Sequence, residues 1–314
     1  MQFEHKGMPL FYFHKGNSYY LQYTINQTKK FNPNAEIIFL GDDSNESVKA
    51  WGVTHVNYHE YFDMAQTMSD NYVHLNNNSP EIELLCMQRW LCCAEYAEKK
   101  GIKGPFVLLD SDVLLYCDIT EYANEYMGNA DMSVCGEYCG PGYVIFKDVS
   151  IAIRLAKGLL SWYTDPDKKK KLYVIREELF EAGNFSNVIN DVKLLELVCK
   201  EERFSLHDMT AVIDQQRFDT HIARDETKFP LGKKGIKRVV MKQGIPYCKN
   251  ALDGTEVKFL SLHFQGGHKM RMFQYYSGDP AVVQRKSKGY VMYAYQFLKR
   301  KAYFLMKVVL KKKK

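Results

Sequence analysis

The feature that most constrains this chain is Phe106-Val107-Leu108-Leu109, an unbroken apolar run that ends on Asp110-Ser111-Asp112. A strand with one face in water alternates apolar and polar residues, so a run without alternation belongs to a strand buried on both faces, as at the centre of an α/β sheet. The residues before it read as a helix from Pro80 to Lys100. Ser79 is its N-cap, Pro80 lies in the first turn, Glu81 and Glu83 sit near the positive end, Lys99 and Lys100 near the negative end, and Gly101 is the stop. The acidic pair then falls at the carboxyl end of the buried strand. Open α/β sheets bind their ligands in the crevice beyond such strand ends.

Other segments agree with an α/β fold. Residues 8–13 and 35–40 are short, aromatic-rich apolar runs with room for one helix between them, a strand-helix-strand opening. Tyr143–Phe146, after the turn Gly140-Pro141-Gly142, reads as another strand, and Asp191–Lys200 as a helix. Residues 237–248 and 256–264 read as two strands joined around Asp253-Gly254. The lysine run 168–171 and the segment 231–238 read as solvated loops, and no repeat or linker divides the body.

With 46% apolar and 25% charged residues, a chain of 314 residues can bury a sizeable core. Eleven of the 43 Lys and Arg, and none of the 37 Asp and Glu, fall in residues 285–314, so the body carries 32 basic against 37 acidic residues. The basic character belongs to one end, and nucleic acid is not an expected partner. Tyr290 to Leu310 has the length of a membrane span, but Lys299, Arg300, Lys301 and Lys307 lie inside it. Each costs about 2.5–3.5 kcal/mol at a helix centre, which argues against spanning. An interfacial helix with Tyr290, Tyr293, Phe297, Phe304 and Val308 on its apolar side fits, as does a helix packed on the body. The eight cysteines form no CxxC pair, and the apolar stretch from Met8 to Phe13 is too brief for a signal peptide; a reducing cytoplasm follows.

Two carboxylates one residue apart, Asp110 and Asp112, are suited to hold a hard divalent cation by oxygen ligands, although an acidic turn is more often a solvated cap. A second motif, His263-Phe264-Gln265-Gly266-Gly267-His268-Lys269, reads as H-x-x-G-x-x-K. An imidazole can be a third metal ligand, a glycine lets backbone N–H groups approach an anion, and a lysine is a point charge for phosphate. A strand end running into a Gly-Gly turn with a surface lysine is the plainer alternative for that segment.

Together the two motifs resemble those of the GT-A fold nucleotide-sugar glycosyltransferases, especially the retaining glycogenin-like and lipooligosaccharide galactosyltransferase-like group, over roughly residues 8 to 270. The resemblance implies a Rossmann-like mixed central sheet flanked by helices and a catalytic domain over 1–275, while the composition of the chain's end implies a basic, membrane-associating helical tail over 276–314. The resemblance also implies Asp110, Asp112 and His263 as metal ligands, with Mn2+ suited somewhat better than Mg2+, and Gly266 and Lys269 as diphosphate contacts. It places His14, Asn17 and Tyr19 at the nucleoside and Asp42 at the base or ribose, each of which is otherwise an ordinary loop residue. Arg89 corresponds to an arginine that reaches the donor, or is an exposed helix residue; Asn190-Asp191 touches sugar hydroxyls, or caps a helix. Gly140-Pro141-Gly142 departs from the family's Asn-x-Gly at an acceptor-facing turn, and Asp219 and His221 receive no role.

The implied reaction moves a hexose from a nucleotide sugar, with UDP-hexose foremost, to a surface polysaccharide, lipooligosaccharide or other glycan or glycolipid at the inner face of a membrane. Lys269 would meet the charge of the leaving diphosphate, and Asp191 would be the general base if the reaction inverts configuration. A sugar nucleotidyltransferase would need a glycine-rich phosphate loop after the first strand, which residues 14–17 are not. A non-catalytic sugar- or membrane-binding protein on the same scaffold is the other alternative.

Overall fold

The computed structural model describes residues 7–136, 142–183 and 189–279, with Ala281 and Tyr295 besides. β1 (Gly7–Phe13) and β2 (Ala35–Gly41) pair in parallel and flank α1 (Leu21–Phe31), and a 3-10 segment (Asp43–Trp51) leads to β3 (Thr54–Asn57), parallel to β2. After α2 (Asp63–Asn71), α3 (Pro80–Lys99) delivers the chain to β4 (Phe106–Asp110), parallel to β1 in the middle of the sheet. Residues 106–109 are all buried, as their lack of alternation requires. Ser79 holds the N-cap position of α3, but its hydroxyl donates to Glu81, and Gly101 follows the helix at φ +62°.

β5 (Val113–Leu115), α4 (Ile119–Tyr126), β6 (Met132–Val134) and β7 (Tyr143–Phe146) come next. Then α5 (Val149–Thr164), α6 (Pro166–Glu181) and α7 (Asp191–Glu202) lead to β8 (Leu206–Asp208). The main sheet is seven-stranded and mixed, in the order β3-β2-β1-β4-β7-β6-β8, with β7 antiparallel to β4 and β6. β9 (Gln216–Arg217), β10 (Val240–Lys242), β11 (Ile245–Lys249) and β12 (Glu256–Phe259) form a smaller sheet; β13 (Ser261–His263) pairs with β5, and α8 (Met272–Tyr275) follows.

Period-two patterning sorts the main sheet into two cores. Phe11, Phe13, Ile38, Leu40, Phe106 and Leu108 pack with Trp90, Leu155 and Leu195 of α3, α5 and α7. Leu10, Tyr12, Ile37, Phe39, Val107 and Leu109 pack with Leu21 and Ile119 of α1 and α4 and with Phe259 of the small sheet. Burial of each such side chain contributes about 1.5–3 kcal/mol, so both faces of the central strands are fixed.

Three expectations are corrected. The lysine run 168–171 is not a loop but the first half of α6, where Asp165 accepts the N–H groups of Asp167 and Lys168 and Pro166 occupies the first turn. The segment 231–238 is not uniformly solvated, because Lys237 is 2% exposed. Residues 237–248 are not one strand: Gln243 and Gly244, both at positive φ, fold them into the β10–β11 hairpin. β11 and β12 do pair antiparallel across Asp253-Gly254, but the following strand leaves at Leu260 to join β5 instead. Packing of the body runs through Ser277, whose N–H donates to Gln27 Oε1 at 3.0 Å. Gly140 and Pro141, and the tail 285–314 apart from Tyr295, lie outside the described residues. Among the described residues no helix is long and apolar enough to cross a membrane.

Candidate active site

β4 ends on Asp110, and after Ser111 and Asp112 the chain turns into β5. β13 runs antiparallel to β5 with His263 opposite Val113, and the N–H of Phe264 donates to the carbonyl of Asp112 at 2.9 Å. This short ladder brings the two distant motifs side by side. His263 Nε2 lies 3.2 Å from Asp112 Oδ1 and 3.6 Å from Asp110 Oδ2, and one ligand atom from each residue can be chosen so that all three fall within 4.8 Å of one another.

The imidazole's other nitrogen decides what this cluster can hold. His263 Nδ1 stands 3.0 Å from the Thr220 carbonyl, which can only accept, so Nδ1 carries the proton and donates. In the neutral ring Nε2 is then a lone pair, buried and without a hydrogen-bond partner, and the carboxylates facing it favour a proton there whose place a cation would take. Two carboxylate oxygens and a lone pair facing one another repel unless a cation or a proton lies between them. Two oxygens and one imidazole nitrogen suit a divalent metal such as Mn2+. Gly142 makes the position possible: a Cβ there would lie 2.7 Å from His263 Nδ1, while its carbonyl accepts the Asp110 N–H at 2.9 Å.

Further charges surround the triad. Lys269 Nζ lies 3.1 Å from Asp112 Oδ2 and 5.4 Å from the centre of the Tyr20 ring. Arg89 is not an exposed helix residue: it is 8% exposed, with one Nη donating to Asp110 and the other to Asp191 Oδ2 at 2.6 Å. Burial pushes Asp110 up to about 6 despite Arg89. Burial also opposes the charge of Asp112, but His263 and Lys269 outweigh it and hold that carboxyl well below its usual range. For His263 itself burial works downward, yet Asp112 and Asp110 prevail and raise it above its ordinary value. With the imidazole neutral, as a metal ligand must be, three carboxylates against one guanidinium and one ammonium leave the cluster one negative charge; a divalent cation would make it singly positive, ready for an anion.

The loop after β1 is joined to this site through His14, whose Nδ1 and Nε2 lie 2.8 Å from Ser111 Oγ and 3.0 Å from Ser18 Oγ. Burial, then Lys269, lower His14 to about 4, so it is neutral. Asp42 closes the loop, its Oδ2 accepting the Gly16 N–H at 2.7 Å and its Oδ1 the Ser44 N–H at 2.9 Å. Asn17 is exposed and Tyr19 half-buried. Gly266, at φ +57° with open space where a Cβ would be, leaves its backbone approachable. Asn190 caps α7 by accepting the Lys193 N–H, while Asp191 pairs with Arg89. Gln265, Gly266, His221 and Ser79 line a cleft of about 600 Å3 beside the triad.

Asp110, Asp112, His263, Lys269, Arg89 and Asp191 are thus contiguous, with His14 attached through Ser111. Sequence reasoning missed Asn45, which is fully buried; its amide donates to the carbonyls of His14 and Gly16, and its oxygen accepts from the N–H of Asp42. The spacing Asp42-x-x-Asn45, a capping box, was the available signal. It also left Asp219 and Lys237 without a role.

A mixed sheet of this order flanked by helices, with an acidic pair at the end of its central strand, is the GT-A architecture of nucleotide-sugar glycosyltransferases. No family model and no curated protein sequence matches the chain. Among solved structures it is similar to the bifunctional glycosyltransferase WbbM in apo form, at 10% identity over 91% of this chain and 51% of that one, with a TM-score of 0.50. It is also similar to apo mouse xyloside xylosyltransferase 1, at 12% identity over 67% and 87% with a TM-score of 0.45, and to the galactosyltransferase LgtC with donor and acceptor sugar analogues, at 14% over 60% and 69% with a TM-score of 0.35. The chain spans about half the length of WbbM, and what that likeness shows is the fold.

Proposed function

We propose that the chain is a metal-dependent glycosyltransferase that moves a hexose, with UDP-hexose the first candidate donor, to a polysaccharide, lipooligosaccharide or other glycan or glycolipid acceptor. The observation that supports this most is the bare Nε2 of His263 facing the oxygens of Asp112 and Asp110, with the Lys269 ammonium alongside. Asp110, Asp112 and His263 would hold the cation, Mn2+ ahead of Mg2+ because an imidazole is among the ligands. When bound, it supplies positive charge to the donor diphosphate.

As the bond from sugar C1 to the diphosphate breaks, negative charge grows on the leaving oxygen. Lys269, held by Asp112 above Tyr20, is a fixed cation on that side. Gly266 leaves backbone accessible for the phosphates. Asp191 is tied to Arg89 through Oδ2 and accepts the Val192 N–H through Oδ1 at 3.0 Å, while burial raises its pKa above the ordinary carboxylate value. The resemblance to the retaining group implies a course in which an oxygen of the donor phosphate accepts the proton of the incoming hydroxyl; an inverting course would use Asp191 as the base.

Nucleotide sugars screened for hydrolysis and transfer with Mn2+ should identify one donor class. Turnover should stop with EDTA and fall on the order of a hundredfold or more in Asp112→Asn; metal-independent turnover, or a fully active D112N, would overturn the proposal.

We place the enzyme in the cytoplasm, at the inner face of a membrane, on the strength of the basic, aromatic composition of residues 285–314. A protein lacking those residues should lose co-sedimentation with anionic vesicles; undiminished binding would refute the assignment.

A further inference from the structure

A second charge cluster lies behind the triad. The side chain of Lys237 is wholly buried, and all three ammonium hydrogens have acceptors: Asp219 Oδ1 at 2.5 Å, Glu226 Oε1 at 2.5 Å and the His221 carbonyl at 3.0 Å. Glu226 also receives Arg217 Nη1 at 2.8 Å and the Thr220 hydroxyl at 2.7 Å. Taking such charges out of water carries a penalty that their mutual attraction barely recovers, and packed apolar side chains often serve stability as well. Stability alone therefore does not explain the cluster.

What the cluster does hold is residues 219–222, and these grip His263 on every polar atom but one. Asp219 Oδ2 accepts the His263 backbone N–H at 3.2 Å, the Thr220 carbonyl accepts Nδ1–H at 3.0 Å, and the Ile222 N–H donates to the His263 carbonyl at 2.9 Å. Asp219 also donates its own N–H to Ser261 Oγ at 3.1 Å, two residues before His263 and on the same face of β13. The Lys237 backbone N–H goes to the Ile222 carbonyl at 2.8 Å, closing the frame. Only Nε2 is left over, and it is the atom that faces Asp110 and Asp112.

We infer that the buried Asp219–Lys237 pair is a positioning device for His263, fixing its backbone and tautomer so that Nε2 alone is presented to a divalent cation. This rests on the metal-binding reading of the triad. Neither side chain belongs to the triad itself; Asp219 holds the His263 backbone N–H directly, and Lys237 is its buried counter-ion.

The test is Mn2+ affinity, read by electron paramagnetic resonance of free Mn2+, alongside circular dichroism and Tm. Asp219→Leu with Lys237→Met removes the anchor while filling the space, and should weaken Mn2+ binding on the order of 10–100-fold with the fold retained. Asp219→Asn with Lys237→Met is also neutral, but keeps an oxygen for the His263 N–H and, with no charge at 219, needs no counter-ion, so it should bind close to the native value. Native-like affinity in the Leu-Met protein, or an equal loss in both, overturns the inference. Should the Leu-Met protein fail to fold, Asp219→Glu keeps the charges while displacing the carboxylate, and the same loss is required of it. A native protein that binds no Mn2+ removes the reading of the triad; native binding with the Leu-Met variant unaffected removes only the positioning role.

Discussion

At the residue scale, one missing side chain decides whether His263 can stand where it does. A methyl group on Gly142 would lie 2.7 Å from Nδ1 and 2.9 Å from Cε1 of the imidazole, too close for either to stay in place. Gly142→Ala should therefore push the ring off the Thr220 carbonyl and weaken Mn2+ binding on the order of tenfold or more, with Tm close to native. Unchanged affinity would show that the ring does not depend on the vacancy. In the sequence Gly140-Pro141-Gly142 reads only as a turn, since nothing in its composition says that a histidine at 263 will lie against its last residue. Lys237 was hidden for a similar reason: among Lys233, Lys234 and Arg238 it looks like one more solvated charge. Its burial becomes visible only when Asp219 and Glu226 arrive to pair with it. Asp110, Asp112, His263 and Lys269 were legible only because two motifs, each with a plainer reading by itself, occur together in one chain.

At the element scale, α3 and β4 could be read because their signals are local: Pro80, the first-turn acids, the Gly101 stop and an apolar run without alternation. Signals for α6 were equally local, with Asp165 before Pro166, but four successive lysines masked them and only Leu172 of that helix is buried. The hairpin at Gln243-Gly244 escaped because glutamine seldom takes a positive φ. The loop from 219 to 226 has no regular structure to read, and charge holds it. Burial works against the charge of Glu226, but Lys237 and Arg217 pull its pKa from 4.5 down to about 2. A folded value below the unfolded one means that this stabilisation is complete above pH 4.5 and is lost as pH falls towards 2. Glu226→Gln should accordingly be less stable than native at neutral pH, with the gap narrowing as pH drops from 4.5 in urea titrations. A gap that keeps its size over that range would mean that the pair does not support the loop.

At the scale of the whole molecule, the doubly covered sheet sets β4 at its centre, β5 leads off from its end, and β13 returns from the small sheet to pair with β5 and complete the site. The α/β class and the pairing of β11 with β12 followed from the sequence; β9 and β10 did not, because both are very short and β9 finds its partner β12 only across a long stretch of chain. The proposed activity requires residues 110–112 and 263–269 to meet around one divalent ion that receives a nucleoside diphosphate. The most direct measurement is UDP binding by calorimetry, with and without Mn2+, to the native protein, Asp112→Asn and His263→Ala. The account predicts tight binding only to the native protein with Mn2+ present. UDP bound equally well without metal, or by both variants as by the native chain, would contradict it.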